Sequence, residues 1–200
     1  MCAMKMALSA LIGYLLGSVS SSIILSRAKY YVDIRRRGSG NAGAANMARV
    51  HGMAAGLATL GGDMAKTALS ALFGWLLAGQ NGLLLACAAA LIGHCWPVYY
   101  HFRGGKGVSV SACIALLLDW RFFAVLLVLF GLFFLIGRRV SLCSVLLALV
   151  YPLVFWLLGN GWGPGMALCC LVTVVVVFCH RSNIARILKG EEPPFRPGKS

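Results

Sequence analysis

The sequence predicts an all-α integral membrane protein: a single bundle of seven transmembrane helices over residues 1–200, N-terminus outside and C-terminus cytoplasmic. Three observations carry that expectation. The chain is 60% hydrophobic and 12% charged, with a mean hydropathy of +0.85, whereas soluble domains are nearer half apolar and a quarter charged. Uncharged runs such as Met6–Ser26 reach the roughly 20 residues needed to cross a hydrocarbon core of about 30 Å. The cations alternate in side: of 18 Lys and Arg, 15 fall in segments 27–52, 101–107, 138–139 and 180–200, against Lys5 and Arg121 in the opposite set, with Lys66 inside a helix. Positive loops stay in the cytoplasm, so an odd number of spans is required.

Charge breaks and Gly/Pro clusters place the helices at about 6–26, 53–79, 83–100, 107–118, 122–137, 140–158 and 166–180. The first follows Lys5 but has no convincing small-residue cleavage site after it, so it is taken as a retained helix rather than a signal peptide. Val108–Leu118 and Met166–Cys179 are short, which requires extension into flanking segments or local thinning. Asp119-Trp120-Arg121 and Gly159–Gly165 are expected as tight turns at the outer face. The eight cysteines form no C-x-x-C pair and sit mostly in apolar runs, which suits reduced packing residues rather than disulfides or zinc ligands. A net charge of +13 confined to short loops speaks for membrane headgroups and phosphorylated metabolites, not nucleic acid.

Two loops depart from generic polarity. Gly38-Ser39-Gly40-Asn41-Ala42-Gly43-Ala44-Ala45-Asn46, with Arg49 beyond it, formally contains G-x-G-x-x-G. That pattern signals dinucleotide binding only after a strand and within a βαβ unit, and here it follows a transmembrane helix. Its small residues still let backbone N–H groups converge on an anion ahead of a helix N-terminus. Ser39, Asn41 and Asn46 add hydrogen-bonding groups, and Arg49 adds a planar charged fork suited to phosphate. The second loop, Gly93–Gly107, runs from His94 through Pro97 into Arg103-Gly104-Gly105-Lys106-Gly107. It is not a Walker A loop, because Tyr100 stands at the first glycine position and Gly107 where Ser or Thr is needed. Lys106 among Gly104, Gly105 and Gly107 nevertheless suits a phosphate contact.

Asp63 and Lys66, three apart on one helix face, are expected to pair inside the bundle. Ser141 opens the sixth helix, where it could serve only as an N-cap. His180 and Asn183 share a face at the end of the seventh, with Glu191 near the surface. Some chemistries are excluded. No acidic residue stands five positions after His51, His94, His101 or His180, as a His-x-x-x-x-Asp acyltransferase would require. No G-x-S-x-G elbow or H-E-x-x-H motif occurs.

Together these segments resemble the acyl-phosphate-dependent glycerol-3-phosphate acyltransferases of bacterial membranes, the PlsY family. Gly38-Ser39-Gly40-Asn41-x-Gly43-Ala44-x-Asn46-x-x-Arg49 is similar to that family's first motif, and Asp63-x-x-Lys66 to its charged pair. Gly93-His94-x-Trp96-Pro97-Val98-x-x-x-Phe102-x-Gly104-Gly105-Lys106-Gly107 resembles its longest motif, Val140-Ser141-Leu142 its serine segment, and His180-x-x-Asn183-Ile184-x-Arg186 its last. Ala45 departs from a usual threonine, Arg103 from lysine, Val140 from a frequent serine and Thr67 from a frequent glycine. These departures bear on substrate affinity more than on activity.

The resemblance implies seven spans and acyl transfer from a long-chain acyl phosphate to the sn-1 hydroxyl of glycerol 3-phosphate. The products would be 1-acyl-glycerol 3-phosphate and phosphate, an early step of phospholipid biosynthesis in the bacterial inner membrane. An acyl phosphate is already activated, so neither a metal, a cofactor nor a covalent intermediate is expected. Expected partners are the two substrates and membrane lipids, with the chain acting as a monomer. His94, Asn41 and Lys106 are placed nearest the reacting groups. Ser39, Gly40, Asn46, Arg49, Gly104, Gly105, Gly107, Ser141, His180 and Asn183 are assigned to substrate and phosphate. The base is left open between His94 and a substrate phosphate. The rival class, an anion carrier, would carry cations at both faces and polar groups through the whole bundle depth.

Overall fold

The computed structural model describes residues 2–198 and contains helices and turns but no strand among them. The helices are α1 (Cys2–Ser18), α2 (Ser21–Tyr30), α3 (Ala44–His51), α4 (Met53–Cys95), α5 (Val108–Leu118), α6 (Trp120–Gly137), α7 (Val140–Phe155), α8 (Pro164–Cys179) and α9 (Arg181–Leu188). Among the described residues, four helical stretches, one of them α1 with α2, are long and apolar enough to cross a membrane: Cys2–Tyr30, Met53–Tyr100, Trp120–Gly137 and Val140–Asn160. The bent pair α8–α9, turned by 61°, makes a fifth if taken as one span. The chain divides into two compact units: residues up to Val110 with the tail from Arg196, and Ser111–Phe195.

In the first unit the stretch expected as one helix over 6–26 is interrupted. Ser20 adopts an extended conformation and its side chain accepts from Ile23 N, which starts α2 afresh and carries it on to Tyr30. With Ile23 N directed to Ser20 Oγ, the Val19 carbonyl lacks its usual partner four residues on and is free for a tertiary contact. Irregular backbone at membrane depth persists only where such groups find partners.

Helix α4 joins what the sequence suggested as two segments. A straight helix of 43 residues would run about 65 Å, twice a bilayer core. Ala78 and Gly79 break it instead, with Gly79 at φ 61°, and its two arms fold back on each other. The arms meet so closely at Gly74 and Gly82 that a Cβ on either would strike the other's carbonyl. Helix α1 packs on the second arm in the same manner, with Gly13 against Ala86, Gly17 against Ala90 and Gly93 against Tyr14 and Ser18. In lipid, where apolar burial gives little drive, small residues stabilise helix pairs by close backbone packing. Short α3 turns back at Gly52 (φ 87°) and rests Ala48 on Gly56.

In the second unit Asp119 caps α6 by accepting from Arg121 N, so the turn expected there is one residue long. Phe122 is fully buried and meets Tyr151 and Phe155 edge-on. Tyr151 donates to the Ser111 carbonyl at 2.7 Å, and Thr173 Oγ1 to that of Ala148 at 2.7 Å. Pro152 lies inside α7, which passes into a wider π-turn over Trp156–Asn160 before the glycine-rich link to α8.

Candidate active site

The loop after α2 is built by one side chain. Asn46 is 1% exposed; its Nδ2 lies 3.0–3.2 Å from the carbonyls of Ile34, Arg37 and Asn41, and its Oδ1 accepts from Ser39 N at 2.9 Å. An amide presents two donors and an acceptor at once, which is why Asn at this position can cross-brace residues 34–46. Gly38 (φ 57°) has no room for a Cβ beside Asn46, and Gly40 adopts φ 74°. Below the loop Ile23, Ile34, Ala42, Met47 and Ala55 form a buried apolar base. Ser39 and Gly40 are exposed, while Asn41 and Arg49 are half-buried. Arg49 has no ion-pair partner among the described residues.

Asp33 closes the loop from the other side. It accepts from Arg27 and from the backbone and guanidinium of Arg35, at 2.7–3.1 Å. The Arg35 hydrogen bond holds its carboxyl far below the usual carboxylate range, and the Asp33 carboxylate raises Arg35 in turn. Arg35 Nη1 also donates to the Tyr100 carbonyl at 3.0 Å, which ties residues 33–37 to the turn at Val98–Tyr100.

The second loop folds back on the end of α4. Gly104 N donates to Cys95 O at 3.2 Å and Gly105 N to His94 O at 3.0 Å. A Cβ on Gly104 would strike His94 O, and one on Gly105 would strike His94 Nε2 while meeting Ala42 O at 3.0 Å. Only glycine therefore lets this loop lie between the imidazole and the first loop. Gly107 takes φ 84°, directly before α5. Both loops thus end in a helix start, α3 after Gly43 and α5 after Gly107, and backbone N–H groups at such starts favour anions. Lys106 is half-buried on the second loop.

His94 is 5% exposed and belongs to a polar cluster inside the apolar bundle. Lys66 Nζ donates to the Val19 carbonyl at 2.6 Å and lies 3.1 Å from both His94 Nδ1 and Asp63 Oδ1. Its approach to Asp63 is an ion pair rather than an aligned hydrogen bond. Asp63 Oδ2 accepts from Ser109 Oγ at 2.9 Å. The expected Asp63–Lys66 pair is present. Its links to His94, Ser109 and the interrupted first helix were not foreseen.

In the second unit Ser141, Asn183 and Arg186 converge on a residue that sequence reasoning passed over. Glu192 Oε1 accepts from Ser141 Oγ at 2.5 Å and Asn183 Nδ2 at 2.7 Å, and Oε2 from Arg186 Nε at 2.7 Å. Arg139 Nε donates to its carbonyl at 2.7 Å. Burial would raise the Glu192 carboxyl, but the bonds from Ser141, Asn183 and Arg186 outweigh it and hold it below its ordinary value. The exposed acid is Glu191. An acid pair in an otherwise basic tail was the available signal, and sequence alone did not say which one turns inward. His180 is buried at the bend between α8 and α9, its Nδ1 2.8 Å from the Val176 carbonyl. A carbonyl only accepts, so that nitrogen carries hydrogen. Among the described residues no cluster of three His, Cys, Asp or Glu could hold a metal ion.

Glycine-rich loops at two helix starts, joined to apolar helices of spanning length, define an integral membrane protein with a polar cluster beside those loops. The profile of the family described as glycerol-3-phosphate acyltransferase matches residues 7–190, and this chain belongs to that family. It is 38% identical over 194 residues to the glycerol-3-phosphate acyltransferase of Geobacillus kaustophilus, covering 96% of this chain and 98% of that one. It is 40% identical over 185 residues to that of Desulforudis audaxviator, covering 92% of each. The crystal structure of PlsY, an integral membrane glycerol 3-phosphate acyltransferase, in its glycerol 3-phosphate form is similar with a TM-score of 0.88 and 28% identity over 96% of both chains. The lysophosphatidic acid form gives 0.85 and 26% identity, covering 96% of this chain and 95% of that one.

Proposed function

We propose that the protein transfers an acyl group from a long-chain acyl phosphate to the sn-1 hydroxyl of glycerol 3-phosphate, releasing 1-acyl-glycerol 3-phosphate and phosphate. It acts directly, without covalent intermediate or metal, as a monomer. It carries seven spans in the bacterial inner membrane, its N-terminus outside and its site and C-terminus in the cytoplasm. The observation that carries this reading is the seating of Gly105 between His94 and Ala42. That close approach brings two helix starts and Lys106 together at one end of the first unit. The family match and the glycerol 3-phosphate and lysophosphatidic acid forms of the solved relative support the same substrate class.

The chemistry follows from what such loops do. Two anionic substrates repel, and backbone N–H groups with Lys106 and Arg49 offset that repulsion. Asn41 and His94 stand nearest the reacting groups. Ser39, Gly40, Gly104 and Gly107 contribute loop backbone or hydroxyl, and Asn46 sets the shape of the first loop. Ser141, His180 and Asn183 are assigned to substrate and phosphate. Holding hydroxyl and carbonyl in attack geometry lowers the barrier by about 7 kcal/mol or more in the best cases.

The test supplies purified protein with labelled glycerol 3-phosphate and, in separate tubes, palmitoyl phosphate, acyl-CoA or acyl carrier protein. Labelled lysophosphatidic acid from palmitoyl phosphate alone is expected. No product from the acyl phosphate defeats the assignment, and equal product from the thioesters corrects the donor.

A further inference from the structure

We infer that Asp63 and Lys66 are positioning residues that fix His94 as the tautomer with hydrogen on Nε2, so that His94 meets substrate as a hydrogen-bond donor and not as a base. The inference rests on the proposed acyl transfer and deepens one residue of it.

An ammonium has three hydrogens and no lone pair. Lys66 Nζ has three near neighbours, the Val19 carbonyl at 2.6 Å, Asp63 Oδ1 at 3.1 Å and His94 Nδ1 at 3.1 Å. The first two only accept. A charged Lys66 therefore makes Nδ1 an acceptor as well, and neutral imidazole then carries its hydrogen on Nε2.

The charge state follows from burial. Asp63 is 1% exposed and its second oxygen is held by the Ser109 hydroxyl, so a carboxylate there needs one positive partner to avoid an uncompensated buried charge. Lysine holds its proton about four pH units more strongly than histidine in water, and Lys66 is nearer to Asp63 than His94 is, at 3.1 against 3.7 Å. The extra proton belongs on Lys66. The interrupted first helix completes the device, since Ile23 N turns to Ser20 Oγ and leaves the Val19 carbonyl open to Lys66. At the other edge of the ring Nε2 and Cε1 lie against Gly105, so the nitrogen facing the glycine loop is an N–H. It can hold a phosphate or carbonyl oxygen, and it has no lone pair with which to take the proton of the attacking hydroxyl.

The closing experiment uses the full-length protein labelled with nitrogen-15 at histidine, with His94→Gln identifying the His94 signals among the four histidines. Wild type is expected to show a pyridine-type Nδ1 and a pyrrole-type Nε2 at neutral pH. Asp63→Asn with Lys66→Met removes both charges together and avoids stranding either one. Here the two tautomers should mix, and kcat should fall about tenfold or more, as when a histidine loses the partner that orients it, with KM for glycerol 3-phosphate within about twofold. Lys66→Arg, which keeps a charged donor, should restore most of the tautomer preference. Hydrogen on Nδ1 in the wild type, or on both nitrogens, overturns the inference. So does a double variant that retains the single tautomer. The spectra are read without turnover, so a protein inactive towards acyl phosphate would defeat the proposed function and leave the tautomer question answerable.

Discussion

Two carboxylates organise two polar clusters, and they do so in opposite settings. Asp63 projects from the interior of α4, 1% exposed, with partners Lys66 on the same helix, Ser109 on α5 and His94 at the end of the second arm. Glu192 sits on the irregular tail after α9, also buried, and gathers Ser141 from α7 with Asn183 and Arg186 from α9. The first cluster is built into helices that already pack through glycines, so its geometry is fixed by the bundle. The second pins a segment that has no secondary structure of its own. The lesson is that a buried acid can order polar side chains from within a frame, or can itself be the frame for a tail. The two cases should fail differently.

The largest effect is expected at the glycine loop that the first cluster supports. Lys106→Ala should cost at least about a hundredfold in turnover, the scale of losing one donor to developing charge, with folded protein retained by size-exclusion and thermal melt. Near-normal activity would remove Lys106 from the site. Next, Asp63→Ala leaves Lys66 buried without its counter-ion, and should destabilise by about 3–5 kcal/mol, visible as a large drop in melting temperature in detergent. A small drop would mean that water enters the cluster and the contrast with Glu192 is overstated.

Gly105→Ala should destabilise by about 1–3 kcal/mol through overpacking against His94, with turnover falling more than stability. Equal losses would show that the close seating serves the fold alone. Smallest is Glu192→Gln, expected at about 1–2 kcal/mol from weaker bonds to Ser141 and Arg186. Because the folded carboxyl is held below its ordinary 4.5, its contribution is complete above that value and is lost as pH falls through it towards the folded value. Wild type and Glu192→Gln should therefore converge in melting temperature on acidification. A gap that stays constant would assign the stabilisation to packing instead of charge.

Much of the arrangement was legible beforehand, and the misses are instructive. The i,i+3 spacing of Asp63 and Lys66 fixed their pairing, because helix geometry is local. Gly38, Gly40 and Gly107 flagged backbone that other residues adopt poorly, and all three take positive φ. The break at Val19-Ser20 escaped notice because an apolar run with serines differs little from a continuous span. The bracing of residues 34–46 by the Asn46 amide also went unread. A polar side chain in a loop carries the same sequence signal whether it faces ligand or backbone. Glu192 was hidden by its neighbour Glu191, since nothing in an unstructured tail gives a periodicity from which to infer the inward side.

By itself the sequence determined a membrane-embedded helical chain, the positions of its glycine-rich loops and the family to which those motifs belong. These depend on hydropathy, charge and short-range backbone preference, each written within a few residues. Only the tertiary structure decided that Lys66 reaches both the Val19 carbonyl and His94, that Gly105 seats the second loop beside Ala42, and that Glu192 holds Ser141 and Asn183. Those contacts join residues from 9 to 63 positions apart, and such distant partners are chosen by how helices pack, which no local pattern encodes.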